Sequence, residues 1–144
     1  MPNRYLIIPG RRQPFQVVLL AFATLAGLTY AFRQAPEPAS LDRYVSSVVL
    51  GIWYTLLLVG GIVGLAGSFD RHDPVRGLLL ERASMVMLAT AFTMYAVAAF
   101  ASAGAAALGG GGSLLAWAAA CAWRGVQVHR DLRILRKGPI GTGR

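Results

Sequence analysis

Four apolar stretches occupy most of this 144-residue chain, and the charged residues lie almost entirely in the connections between them. The stretches are residues 15–32, 44–68, 83–108 and 113–123, the last with a less apolar continuation. An α-helix rises about 1.5 Å per residue, so roughly twenty apolar residues cross the hydrocarbon core of a bilayer. The pattern therefore predicts an all-α, polytopic membrane protein with a bundle of four transmembrane helices.

The predicted spans are residues 15–32, 44–68, 83–107 and 110–128, which together form a transmembrane domain over residues 15–128. Basic tails, residues 1–14 and 129–144, flank this domain.

Two of the connections contain residues that indicate where helices begin or the chain turns. Pro74 suits the first turn of a helix, and Asp70 or Asp73 can cap that helix. The run Gly109–Gly112 predicts a tight turn between the third and fourth spans, with the fourth helix starting at Ser113.

The composition agrees with a membrane protein. The chain is 56% hydrophobic and 14% charged, against roughly 25% charged in a typical soluble domain. Its formal net charge is +8, yet no soluble basic surface interleaved with aromatic residues is present, so no nucleic-acid partner is expected. Cys121 is the only cysteine, which excludes a disulfide within the chain.

The positive charges predict the orientation of the spans. Twelve of the fourteen Lys and Arg residues lie in or beside the two tails and the middle connection, against Arg33 and Arg43 in the first connection. Lys and Arg accumulate on the cytoplasmic side, so both termini are expected in the cytoplasm. We predict a multi-pass protein of the cytoplasmic (inner) membrane whose first span is a retained signal anchor.

Three pairs of small residues have the spacing that lets two helix backbones approach closely in lipid. The pairs are Gly60 and Gly64, Ala23 and Gly27, and Ala116 and Ala120. Two interpretations stay open. The pairs serve packing within the four-helix bundle, or they serve association between copies of the chain.

Two charged residues of opposite sign are expected at a similar depth in neighbouring spans. Glu81 precedes the third span, and Arg124 lies near the cytoplasmic end of the fourth. A charge in the apolar region costs roughly 2.5–3.5 kcal/mol on insertion scales, so a partner is expected. The residues predict a Glu81–Arg124 ion pair; the alternative is that Arg124 extends alone towards the lipid headgroups.

The C-terminal segment is basic with apolar residues between the charges. Its basic residues are Arg130, Arg133, Arg136 and Lys137. Helical spacing places Val128, Leu132 and Leu135 on one stripe. Such a helix can lie on the anionic lipids of the inner leaflet. The alternative is a topology anchor without a ligand.

Catalytic signals are missing from the sequence. His72, His129 and Cys121 lack the spacing of metal ligands, and no nucleophile–base set or phosphate-binding loop is present. The first three spans hold no polar group other than hydroxyls at their centres, so they offer no proton relay. We predict that the protein is not an enzyme and uses no cofactor or metal.

The connection at residues 69–84 reads Phe-Asp-Arg-His-Asp-Pro-Val-Arg-Gly-Leu-Leu-Leu-Glu-Arg-Ala-Ser and leads into the third span. With a short basic tail, four compact spans and a basic C-terminus, the chain resembles the small four-span membrane proteins of actinobacterial phages and their hosts. Some of these are proposed holins. The resemblance implies a holin-like protein that self-associates in the membrane to permit lysis. The competing prediction is a membrane scaffold that recruits a partner through its basic cytoplasmic tail.

Overall fold

The computed structural model of the chain describes residues 14–32, 45–70 and 73–136. The regular structure in this part is entirely helical, which confirms the predicted all-α class. In chain order the elements are α1 (Pro14–Ala31), α2 (Ser47–Phe69), α3 (Pro74–Ala103), a 3-10 turn (Gly104–Ala107) and α4 (Leu108–Arg136). The two predicted tails fall largely outside the described residues, as does the connection at residues 33–44.

Each helix packs against the helix that follows it in the chain, and neighbours run antiparallel. Tyr30 at the end of α1 contacts Trp53 near the start of α2, with ring centroids 5.4 Å apart. Gly67 at the end of α2 lies against Gly77 at the start of α3. All four helices contribute buried side chains to a common core. One such residue from each helix, in chain order, is Leu20, Leu57, Leu88 and Cys121.

Among the residues that the structure describes, three segments are long and apolar enough to cross a membrane: Pro14–Ala31, Ser47–Phe69 and Val75–Arg133. The third comprises 59 residues and contains both α3 and α4. A straight helix of that length would measure about 90 Å, but Phe100 of α3 lies against Gly111 of α4. The segment is therefore a helical hairpin. Large apolar side chains are exposed on the outside of every helix, as expected of a small membrane protein.

The reversal between α3 and α4 lies earlier than predicted. Gly104 has a φ of 54°, a conformation that favours glycine, and its N–H donates to the carbonyl oxygen of Phe100 to end α3. The run Gly109–Gly112 is helical, in the first turns of α4, so the predicted turn there and the start at Ser113 are wrong. A side chain at Gly111 would meet the Phe100 ring at 3.0 Å, so this glycine serves close helix packing.

The start of α3 confirms the predicted cap. Asp73 Oδ1 accepts from the backbone N–H groups of Val75 at 2.9 Å and Arg76 at 3.1 Å. Pro74 occupies the first turn, where its missing N–H costs no hydrogen bond. This capped start places Glu81 about two turns into the helix.

Candidate functional site: a carboxylate shared by three helices

The most unusual group inside the bundle is the carboxylate of Glu81. The residue lies on α3, and its side chain is only 10% exposed. Its Oε1 atom accepts two hydrogen bonds: one from Gln16 Nε2 of α1 at 2.8 Å and one from Arg124 Nε of α4 at 2.7 Å. One oxygen atom thus joins three helices. We call Gln16, Glu81, Arg124 and Gln127 the polar cluster.

Arg124 neutralises the charge of Glu81 within this cluster. Its side chain is 30% exposed, and Nη1 donates a longer bond of 3.4 Å to Gln127 Oε1, one turn further along α4. A buried charge is tolerated where it is paired and hydrogen-bonded. The structure therefore places the two residues of the predicted ion pair in contact.

Gln16 was not among the predicted site residues, although its position contained a signal. It is the third residue of α1, at the edge of the first apolar stretch, and therefore enters the bundle at the same end as Glu81 and Arg124. A polar side chain just inside an apolar stretch, at the depth of a known charge, is a candidate hydrogen-bond partner. The amide group donates without adding a charge, which suits a carboxylate already balanced by Arg124.

The glycine pair of α2 is enclosed by the chain itself. Gly60 faces Met87 and Leu88 of α3, whereas Gly64 faces Leu20 of α1 and Ser84 of α3. The Ser84 hydroxyl also donates to the Gly60 carbonyl oxygen at 2.7 Å. This face therefore packs within the bundle and is not available for association between copies.

The two other small-residue pairs have different surroundings. Ala23 and Gly27 are buried, and a Cβ atom at Gly27 would lie 2.7 Å from the Leu58 Cα of α2. Ala116 and Ala120 are exposed, so the predicted packing role within the bundle is wrong for them. The inward stripe of α4 contains Trp117, Ala118 and Cys121 instead, because residues on one helix face recur every three to four positions.

The basic segment is the continuation of α4. Val128 and Leu132 are buried in the bundle, so their apolar stripe packs on protein rather than lying on a lipid surface as a separate helix. Arg130 and Arg133 are exposed. The Arg136 side chain and Lys137 fall outside the described residues.

An aromatic cluster lies towards the opposite end of the bundle. Trp53 of α2 contacts Tyr30 of α1 at 5.4 Å, and Tyr54 and Tyr95 at 5.4 and 5.5 Å, between ring centroids. The Trp53 Nε1–H donates to the Ala91 carbonyl oxygen of α3 at 3.0 Å. These aromatic residues share no spacing in the sequence, because their common position depends on how three helices meet.

The chain matches no protein-family model, no curated protein and no solved structure. Its function must therefore be inferred from the bundle itself. Within residues 14–32, 45–70 and 73–136, no three His, Cys, Asp or Glu side chains come together as a metal site. The polar cluster offers a paired carboxylate that holds helices together, which is a structural arrangement.

Proposed function

We propose that this chain is a small, non-enzymatic protein of the cytoplasmic membrane that crosses the bilayer four times with both termini in the cytoplasm. The polar cluster and the aromatic cluster support this placement. Glu81 and Tyr95 are fourteen residues apart on one helix, about 21 Å along its axis, within a hydrocarbon core of roughly 30 Å. Aromatic side chains favour the membrane–water interface, and charged groups favour the end nearest water.

The proposed role is that of a membrane-embedded scaffold that recruits an acidic partner on the cytoplasmic side. One observation carries it: α4 continues for twelve residues beyond Arg124, about 18 Å, and carries exposed Arg130 and Arg133. Inside the bundle, the charges of Glu81 and Arg124 are paired with each other. The exposed basic groups are therefore free to attract anionic inner-leaflet lipids or an acidic protein segment.

A holin-like role is the second candidate, and the outer face of α4 favours it. Ala116 and Ala120 are exposed beside Leu115, so this small-residue pair is available for lateral contact with another copy. Small residues allow close approach of helices in lipid. Collective assembly of copies through this face would then precede the lesion that permits lysis.

The four crossings can be tested by cysteine labelling in intact cells. On a Cys121→Ala background, Ala105→Cys places a thiol in the α3–α4 turn, and Asp131→Cys places one near the end of α4. We expect a membrane-impermeant maleimide to label position 105 in intact cells and position 131 only after permeabilisation. Equal labelling of both positions would contradict a crossing by α4, and the reverse pattern would contradict cytoplasmic termini.

The two candidate functions differ in their effect on the membrane potential. With the full chain expressed in bacteria and a potential-sensitive dye, we expect the scaffold to accumulate without depolarisation. Abrupt depolarisation with arrested growth would instead support the holin-like role. In that case Ala116→Leu with Ala120→Leu should delay depolarisation, because the α4 faces could no longer approach closely. Ala101→Leu, equally exposed on α3, is the matched control.

A further inference from the structure

An open groove runs along the outside of the bundle between α3 and α4. Its volume is about 420 Å³, within the roughly 300–1,000 Å³ typical of ligand pockets. It extends from Arg82 to Thr90 on α3 and from His129 to Cys121 on α4. Eight residues of helix correspond to about 12 Å, so the groove is elongated parallel to the helices.

The groove exists because small residues line both helices. Ala89 of α3 faces the groove, as do Ala122 and Gly125 of α4, and larger side chains would fill the space. The Thr90 hydroxyl donates to the carbonyl oxygen of Val86 at 2.9 Å, which leaves this wall with little polarity. The long part of the groove is therefore suited to an apolar chain.

One end of the groove is basic. Arg82 is exposed and makes no hydrogen bond or ion pair with the part of the chain that the structure describes. Arg133, also exposed, follows His129 by one turn on the same face of α4. Of the nearby carboxylates, Glu81 is paired in the polar cluster, and Asp131 lies about 200° around α4 from His129. The open end of the groove thus carries an excess of positive charge.

We propose that this groove holds one anionic phospholipid, with its phosphate at Arg82 and an acyl chain between α3 and α4. The inference rests on the proposed membrane placement, which puts Arg82 at the level of the inner-leaflet headgroups. Basic pockets between helices on the cytoplasmic side suit anionic headgroups. Binding of this phospholipid requires both the Arg82 charge and the apolar groove. Lipids attracted to the exposed end of α4 require only the basic charges there.

Native mass spectrometry of the purified full chain in detergent can test the proposal. The probes are phosphatidylglycerol and phosphatidylcholine with identical acyl chains. We expect the wild type to retain one phosphatidylglycerol in preference to phosphatidylcholine. Arg82→Gln should lower that preference by about five-fold, the factor that corresponds to the roughly 1 kcal/mol contributed by one basic residue near an anionic surface. Ala122→Phe should abolish retention of both lipids by filling the groove.

Two matched variants separate the groove from general effects. Arg76→Gln removes the same charge at an exposed position of α3 outside the groove, and Ala119→Phe adds the same ring to another exposed position of α4. Both should bind lipid like the wild type, with circular dichroism reporting an intact fold in all four variants. The proposal is overturned if Arg82→Gln and Arg76→Gln weaken binding equally, or if Ala122→Phe retains the lipid. Lipid binding is measured on the purified protein in detergent. A negative result there would contradict the lipid site without contradicting the proposed function, which the labelling and membrane-potential experiments test.

Discussion

Replacing Gly61 by alanine is expected to destabilise the bundle by about 3 kcal/mol, the upper end of the usual range for overpacking. The added methyl group would lie 2.7 Å from the backbone nitrogen of Thr24 and 2.9 Å from the carbonyl oxygen of Leu20. Both atoms belong to the backbone of α1 and cannot move aside as a flexible side chain would. The two helices must separate, which loosens the packing along their whole interface. Unfolding in mixed micelles of rising dodecyl sulfate content measures the loss.

Gly51→Ala is the matched control on the same helix. No atom of a neighbouring helix lies within 4 Å of its added methyl group, so it should leave stability unchanged or raise it slightly through better helix propensity. Gly27→Ala meets the Leu58 backbone on the same α1–α2 interface and should resemble Gly61→Ala. The double variant should lose less than the sum, since helices already separated tolerate the second methyl group. Equal stability of Gly61→Ala and Gly51→Ala would show that α1 and α2 do not approach this closely.

Arg124→Gln is expected to destabilise the bundle by about 3 kcal/mol, the lower end of the range for breaking a buried ion pair. The substitution leaves the Glu81 carboxylate inside the bundle with the hydrogen bond from Gln16 but without a neutralising charge. Glu81→Gln leaves the Arg124 guanidinium without its carboxylate, but Arg124 is more exposed and can extend towards water. We therefore expect the smaller loss for Glu81→Gln, measured by the same unfolding assay.

The double variant Glu81→Gln with Arg124→Gln tests whether the two charges act together. If they do, its loss of stability is well below the sum of the two single losses, since neither side chain then carries an unpaired charge. Arg130→Gln removes an exposed charge from the same helix and should change stability by less than about 0.5 kcal/mol. Additive losses in the double variant would mean that Glu81 and Arg124 stabilise the bundle independently of each other.

The pair itself was predictable from the chain, because depth in a membrane helix can be counted. Glu81 precedes the third apolar stretch and Arg124 follows the fourth, so antiparallel spans bring both to the same end of the bundle, and two unlike charges in an apolar setting favour each other. The contribution of Gln16 could not be derived in this way. Its contact depends on α1 and α3 both packing on α2, which brings the long Gln16 side chain within reach of Glu81.

The small-residue pairs were likewise recognisable in the sequence, but the direction that each pair faces was not. Gly60 and Gly64 face inward, whereas Ala116 and Ala120, at the same spacing, face outward. The motif indicates that another helix can pack closely against this one, but it does not specify which helix that is.

The turn between α3 and α4 also could not be located from the sequence. The sequence favours the four consecutive glycines for this turn, yet of these five described glycines only Gly104 adopts the positive φ that reverses the chain.

Sequence alone determined that this protein is all-α and has helices apolar enough for a membrane, because both properties depend on hydropathy summed over roughly twenty local residues. Tertiary structure decided which face of each helix is buried, where three helices share the Glu81 carboxylate, and where α3 and α4 leave a groove. In water, an amphipathic pattern would have indicated the inward faces in advance. In a bilayer the outer surface is as apolar as the core, so the rotation of each helix follows from packing with its neighbours.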